Sequence, residues 1–129
     1  MILALDPGKE KCGLAILDQS GNVLEKKIIA PQEVSSLVPL LVAKYSLSVI
    51  IVGQSAFGKK IEKELLKLEL KANIIFVSEK YSTLEARRRY WQENKPKGLW
   101  RLIPTTLRTP PVPVDDYAAV ILGERYLKG

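Results

Sequence analysis

Apolar runs separated by short polar turns dominate the start of the chain. Residues 2–5, 12–17 and 23–29 are mostly apolar, and turn residues such as Gly21 and Asn22 lie between them. Short runs with turn residues at both ends are typical of strands, so the pattern predicts three strands in an antiparallel meander. The run at 2–5 is apolar at every position, which predicts a central strand that is covered on both faces.

Helical and strand patterns alternate in the middle of the chain. A helical pattern spans 31–42, and an amphipathic pattern predicts a second helix over 59–70, after a polar turn at 54–58. The short apolar runs 47–52 and 73–77 have the composition of buried parallel strands. Together these elements predict an α/β fold, in which a mixed sheet joins the three-strand antiparallel meander to parallel strands and has helices on both faces.

The last part of the chain carries two further helical signals. Ser82 and Glu85 have the spacing of a capping box, which predicts the start of a helix. Residues 95–113 are rich in proline and are expected to be irregular, and Asp115 or Asp116 is expected to cap a final helix. A length of 129 residues is typical of one domain, so we expect the whole chain to form a single folded unit.

Positive charge is concentrated in one segment. The net charge is +6, and residues 87–108 hold seven Lys or Arg against one Glu, so the rest of the chain is neutral. This concentration indicates a polyanionic partner, and Tyr90, Trp91 and Trp100 offer rings on which unpaired bases stack. In the alternative interpretation, the tryptophans pin a loop to the core and the cations are solvated. The candidate nucleic-acid-binding residues are Arg87, Arg88, Lys95, Lys97, Arg101, Arg108 and Lys59.

The residue types present exclude several kinds of catalysis. The chain has no histidine and a single cysteine, Cys12, which lies inside an apolar run. Ser-His and Cys-His catalysis, histidine-based metal sites and an internal disulfide are therefore excluded. Acid–base chemistry has to come from carboxylates, lysine, tyrosine or metal-activated water. The apolar runs are too short for a membrane span and none has the form of a signal peptide, so we expect a cytoplasmic protein with no membrane partner.

Acidic residues follow two predicted buried strands and open the final helix. Asp6 and Glu79 end strands, and Asp115 and Asp116 begin the helix. Parallel strands place their carboxyl ends at one edge of a sheet, so these groups are expected to converge there, where their mutual repulsion favours a cation. Oxygen-bound Mg²⁺ or Mn²⁺ supports phosphodiester hydrolysis. Each position also has an alternative role: Asp6 in an Asp-Pro-Gly turn, Glu79 in a surface ion pair with Lys80, and the two aspartates as N-caps.

Four segments together resemble the YqgF family of resolvase-like proteins. They are LALDPGKEKCGLAILD at 3–18, VIIVG at 49–53, VSEKYSTLEARR at 77–88 and VDDYAAVILGERYL at 114–127. The resemblance covers nearly the whole chain and implies a single ribonuclease H-like domain. It also implies that Asp6, Glu79 and Asp115 are catalytic and bind the metal, with Asp116 as the alternative to Asp115, and that the cofactor is Mg²⁺ or Mn²⁺. Ser78 stands where the family usually has an aspartate.

The resemblance implies a metal-dependent endonuclease that acts on structured nucleic acid. The family is credited with processing of ribosomal RNA precursors and with resolvase-like action on branched DNA, and we expect an RNA precursor as the first of these substrates. A Holliday-junction-type resolvase and a non-catalytic nucleic-acid-binding protein are the alternatives. A nucleotide-binding fold of the actin and sugar-kinase kind is a third, because Asp6 and Gly8 also resemble the first phosphate loop of those proteins. We expect a monomer or a homodimer.

Overall fold

The computed structural model describes residues 1–80, 82–94 and 113–128. Its strands are β1 Ile2–Pro7, β2 Cys12–Leu17, β3 Val23–Ile29, β4 Val49–Gly53 and β5 Asn73–Val77. Its helices are α1 Val34–Tyr45, α2 Ala56–Leu66, α3 Ser82–Glu93 and α4 Asp115–Lys128, and a 3₁₀ turn at Pro31–Glu33 precedes α1. The strands form one five-stranded sheet in the order β3-β2-β1-β4-β5, with helices packed on both faces, which confirms the predicted fold class.

β1 is the central strand of the sheet. It pairs antiparallel with β2 and parallel with β4, and β3 and β5 lie at the two edges. Every residue of β1 is buried except Asp6, which is half-buried near the carboxyl end. β4 and β5 run parallel to β1, so these three strands end at the same edge of the sheet. Residues placed at those strand ends are therefore neighbours in space.

The two faces of β1 contact different helices. Successive strand residues point to opposite faces, so Leu3 and Leu5 pack with α1 and α2, while Ile2 and Ala4 pack with α4. α4 is buried throughout residues 117–123, and α3 packs against it on the side away from the sheet core. Both faces of β1 are thus covered, as its continuous apolar sequence predicts.

α2 differs from its predicted bounds at both ends. It begins at Ala56 rather than at residue 59, because Oγ of Ser55 accepts a hydrogen bond from the Gly58 N–H at 3.0 Å and caps the helix. Ala56, Phe57 and Gly58 therefore form the first turn of the helix, and the predicted polar turn over 54–58 is wrong in its second half. The helix ends at Leu66 rather than at residue 70, and Glu69 beyond it has a φ of +52°.

α1, in contrast, starts at Val34, which is later than the start of the helical pattern at residue 31. The 3₁₀ turn takes up Pro31 and the two residues after it, and Pro39 lies inside the helix. The buried residues of α1 include Val38 and Leu41, whereas Leu40 points outward and is 67% exposed. Among the described helices, none is long and apolar enough to cross a membrane.

Replacing Leu41 with alanine tests the orientation of α1 against the sheet. Leu41 is only 4% exposed, so its truncation leaves a cavity, and we expect the free energy of unfolding to fall by about 2–4 kcal/mol. Leu40→Ala changes the same residue type in the same helix at an exposed position, and its effect should stay within about 0.5 kcal/mol. Urea unfolding of both variants measures the difference, and equal losses would contradict the assigned buried face.

Candidate functional site

Asp6 and Glu79 approach each other across the end of β4. Asp6 belongs to β1 and Glu79 follows the end of β5, while β4 lies between these two strands in the sheet. β4 ends at Gly53, where a Cβ atom would collide with Oε1 of Glu79. The absence of a side chain at this position leaves the space through which the Glu79 carboxylate reaches Asp6. Asp6 itself lies within the strand and not in the turn that follows it.

Asp115 approaches β1 from the opposite side. Gly13 of β2 is the antiparallel partner of Asp6, and a Cβ atom at Gly13 would collide with the carbonyl oxygen of Asp115. The first turn of α4 therefore lies directly on β2. Each of the strands next to β1 thus has a glycine at the point where an acidic residue approaches Asp6.

Burial and neighbouring negative charge disfavour ionisation of this carboxyl pair. The pKa of Asp6 is raised to about 8 by its burial, by the charge of Glu79, by the hydrogen bond between the two carboxyl groups and by the charge of Asp115. Burial also raises the pKa of Glu79, although the hydrogen bond to Asp6 opposes this shift. In the absence of a cation, Asp6 therefore retains its proton at neutral pH and shares it with Glu79.

The Glu79 carboxylate has an unpartnered oxygen at this site. Oε1 of Glu79 is shielded from solvent and has no hydrogen-bond partner within the described part of the chain. Two ionised carboxylates have no proton to share, so a bound cation would satisfy this oxygen and remove the repulsion between the pair. Within residues 1–80, 82–94 and 113–128, no three Asp, Glu or Cys side chains converge closely enough to enclose a metal ion. The arrangement fits a hydrated ion such as Mg²⁺, which takes one or two carboxylates and keeps several waters.

Cys12 lies inside the same negatively charged region. It is fully buried in β2, and burial raises the pKa of its thiol to about 12, with further contributions from the charges of Asp6, Asp115 and Glu79. The thiol is therefore uncharged and unreactive at neutral pH. The charges of Asp6, Asp115 and Glu79 thus all act on this one buried thiol.

Asp115 and Asp116 occupy different environments. Oδ2 of Asp116 accepts a hydrogen bond from Nζ of Lys26 on β3 at 2.8 Å, and its Oδ1 accepts one from the Tyr117 N–H at 2.9 Å. The same ammonium group of Lys26 lies 4.1 Å from the centre of the Tyr117 ring. The carboxylate of Asp116 thus already has a cationic partner, whereas the charge of Asp115 contributes to the raised pKa of Asp6.

The candidate nucleic-acid-binding residues lie partly within the described chain. Arg87 and Arg88 are on α3, the helix that follows Glu79, and Lys59 is on α2. Arg88 and Lys59 are exposed and Arg87 is half-buried, so all three can present charge to a ligand. Lys95, Lys97, Arg101 and Arg108 lie outside the described residues. The role of all seven in nucleic-acid binding stays a prediction.

Sequence patterns did not single out Lys26 or Arg125, although both contact the surroundings of the acidic residues. Lys26 pairs with Asp116 across 90 positions of sequence, and Arg125 on α4 donates hydrogen bonds to the backbone on either side of Glu79. Lys26 belongs to no motif, and Arg125 lies within the motif at 114–127 without a charge partner at local spacing, so no spacing rule pointed to their contacts. Gly53 offered a weak signal, since a glycine at the end of a buried strand often marks close approach of another group.

Asp6→Asn is expected to stabilise the metal-free protein increasingly as the pH rises. The pKa of Asp6 is about 8 in the folded state against an ordinary value of 3.8, so between these values the folded state holds a proton that the unfolded chain has released. The stability contributed by this group is therefore lost as the pH rises toward 8. Asparagine is neutral at every pH and its amide can donate a hydrogen bond to Glu79. We therefore expect the free energy of unfolding to rise by an amount on the order of 1–3 kcal/mol at pH 8 and to change little at pH 4.

Urea unfolding in EDTA across this pH range measures the effect. Glu10→Gln, which removes an exposed carboxylate, is the control for loss of one negative charge. If the difference in the free energy of unfolding between Asp6→Asn and the wild type does not vary with pH, the two carboxyl groups do not form the proposed pair.

Comparisons with known proteins find similarity at the level of structure. No family model matches the sequence, and no curated protein matches it. A Thermus thermophilus RuvC solved in complex with Holliday junction substrate superposes with a TM-score of 0.59 and 14% identity, covering 94% of this chain and 88% of that one. A second Thermus thermophilus RuvC structure gives a TM-score of 0.58 and 12% identity, covering 99% of this chain and 96% of that one.

This similarity extends over nearly the whole length of both chains. At identities of 14% and 12% it establishes the fold, and the common feature is the mixed sheet with its flanking helices. The chain therefore has the ribonuclease H-like fold that the resolvase RuvC also has.

Proposed function

We propose that this chain is a metal-dependent endonuclease that hydrolyses phosphodiesters in structured nucleic acid. The observation that carries the proposal is the half-buried pair of Asp6 and Glu79, with its shielded and unpartnered oxygen at the carboxyl edge of the sheet. Like charges held this close, and withdrawn from water, are unfavourable unless a proton or a cation lies between them. A chain without histidine has few other means of activating water, so a cation-binding carboxylate pair is the group best suited to hydrolysis.

Asp6 and Glu79 would hold Mg²⁺ or Mn²⁺, with Asp115 as the third acidic residue of the centre. Asp115 is proposed in preference to Asp116 because its charge acts on Asp6, while Asp116 is already paired with Lys26. When bound, such an ion stabilises charge on the phosphoryl oxygens and lowers the pKa of water. The role of Asp6 is to release its proton as the site is loaded, and the role of Glu79 is to supply the buried oxygen that needs a positive partner.

The basic residues would bind the phosphates of the substrate. Arg87 and Arg88 are on α3, the helix that follows Glu79 in the chain. Phosphates bound to these arginines would therefore be held by the element next to the one that supplies Glu79. Both arginines belong to the segment 87–108, which holds the whole charge surplus of the protein, and Lys59 adds a cation outside that segment. Binding of this kind depends strongly on salt, because each phosphate contact releases a counterion.

Two substrate classes have separate support. The resemblance to the YqgF family supports ribosomal RNA precursors, which we propose as one substrate class. The fold shared with RuvC, which was solved in complex with a Holliday junction substrate, supports branched DNA as the other. Branched DNA is the first substrate to test, because the structural similarity to RuvC covers nearly the whole chain. A non-catalytic nucleic-acid-binding protein is the alternative in a different functional class.

Cation binding is expected to stabilise the wild-type protein through Asp6 and Glu79. At a Mn²⁺ concentration about 100 times the dissociation constant, binding to the folded state alone adds about 2.7 kcal/mol, which raises the melting temperature. Asp6→Asn and Glu79→Gln should lose most of this rise, whereas Asp116→Asn should keep it, because Asp116 is paired with Lys26. Thermal unfolding at pH 8 with and without Mn²⁺ measures the effect. An equal rise in Asp6→Asn and the wild type would place the cation elsewhere.

Cleavage assays test the activity itself. We expect products from a labelled four-way DNA junction or a precursor ribosomal RNA in Mg²⁺ or Mn²⁺, and none in EDTA. Asp6→Asn and Glu79→Gln should reduce the rate at least about 100-fold, which corresponds to about 2.7 kcal/mol of lost transition-state stabilisation. Asp116→Asn is the matched control, with an expected loss of less than about tenfold.

Plain DNA and RNA duplexes run beside these substrates show whether the branched or folded structure is needed. Full activity retained in Asp6→Asn would refute the assignment of Asp6 to the catalytic centre, unless a contaminating nuclease gives the same products in a preparation of an unrelated protein. Salt-sensitive binding of nucleic acid with no cation-dependent products on any substrate would refute the nuclease and support the non-catalytic alternative.

A further inference from the structure

The guanidinium group of Arg125 contacts the backbone on both sides of Glu79. Its Nη1 donates a hydrogen bond to the carbonyl oxygen of Ser78 at 2.7 Å, and its Nη2 donates one to the carbonyl oxygen of Lys80 at 2.6 Å. Nη2 also donates to Oε1 of Glu85 on α3 at 2.9 Å. Arg125 thus joins α4 to α3 and to the segment between β5 and α3 that carries Glu79.

This segment has left the sheet when it reaches Glu79. β5 is an edge strand and ends at Val77, so the carbonyl groups of residues 78 and 80 do not take part in the strand ladder. A planar guanidinium has several donors in a fixed arrangement, so it can bind two carbonyl oxygens at once and fix their relative position. Hydrogen bonds from a charged donor are shorter and stronger than those between neutral groups.

The position of Glu79 requires such a restraint. Its carboxylate lies across Gly53 against Asp6, where it loses water and where its Oε1 has no hydrogen-bond partner within the described residues. Both effects favour a movement of the side chain toward solvent, and a segment free to move would permit it. The hydrogen bonds from Arg125 oppose this movement because they hold the backbone immediately before and after Glu79.

We propose that Arg125 is a positioning residue that holds the Glu79 carboxylate against Asp6 and thereby raises the affinity of the site for its cation. The inference rests on the proposed function in so far as it assigns a cation to Asp6 and Glu79. α4 then has two roles, because its first turn carries Asp115 and its third turn carries the guanidinium that fixes Glu79.

The chain offers two matched control variants. Arg89→Met removes the other ion pair between α3 and α4, in which Nη2 of Arg89 contacts both carboxylate oxygens of Glu124 at 2.7 and 2.9 Å, and it leaves the Glu79 segment untouched. Glu85→Gln weakens the ion pair of Arg125 but keeps both hydrogen bonds to the carbonyl oxygens. Arg125→Met, the test variant, removes the ion pair with Glu85 and both hydrogen bonds to the carbonyl oxygens, while preserving much of the length of the side chain.

Mn²⁺ affinity, measured from the electron paramagnetic resonance signal of the free ion at pH 8, is the primary readout. We expect Arg125→Met to weaken Mn²⁺ binding at least about tenfold, as is typical when a residue that orients a metal ligand is lost. Arg89→Met and Glu85→Gln should stay within about threefold of the wild type. In Arg125→Ala, millimolar guanidinium ion should restore part of the affinity, which a general loss of helix packing would not allow. Equal weakening in Arg125→Met and Arg89→Met, or no weakening in either, would overturn the proposal.

Amide hydrogen exchange at residues 78–80 gives a second readout that needs no cation. Exchange there should rise at least about tenfold in Arg125→Met and remain near the wild-type rate in Arg89→Met, with circular dichroism confirming that both variants are folded. Unchanged exchange in Arg125→Met would overturn the restraint itself. If exchange rises as expected but wild type and Asp6→Asn bind Mn²⁺ equally, the restraint stands and the cation site of the proposed function is refuted.

Discussion

The structure around the site depends on the repulsion between two carboxyl groups that share a buried position. Asp6 and Glu79 are partly withdrawn from water at the end of the sheet. Burial raises the pKa of both groups, and the charge of Glu79 raises that of Asp6 further. Such a pair is stable only if the surrounding elements hold it in place and a proton or a cation offsets the charge. The glycines, the helix packing and the arginine contacts described above can be understood as the means by which the fold does this.

Steric space on both sides of β1 makes the arrangement possible. Gly13 on β2 allows the start of α4 to lie on the sheet, and Gly53 on β4 allows the Glu79 carboxylate, from the segment after β5, to lie over the end of β4. A side chain at either position would separate the acidic residues. The site is therefore built from five elements. Its geometry depends on the side chains that β2 and β4 lack as much as on the acidic residues that β1, the end of β5 and α4 provide.

Much of the fold follows from local patterns, because strand ends and apolar runs are set by nearby residues. The five strands lie where the apolar runs are, and the strand-end position of Asp6 and Glu79 was sufficient to predict that they meet. The start of α2 was misplaced, since the composition of residues 54–58 is equally typical of a turn and of a capped first turn of a helix. Asp115 and Asp116 are adjacent and identical in type, so residue type cannot separate them, whereas the structure pairs Asp116 with Lys26 and places the charge of Asp115 near Asp6.

The burial of α4 links the chemistry of the site to the cooperativity of folding. Residues 117–123 form part of the core, and the same helix carries Asp115 at one end and the contacts of Arg125 near the other. A site formed on surface loops can loosen well below the temperature at which its domain unfolds. Here the part of the acidic centre on α4 has no such independence, because α4 cannot move away without exposing the apolar face of the sheet. Heating should therefore release Asp115 from the site only as the native core itself unfolds.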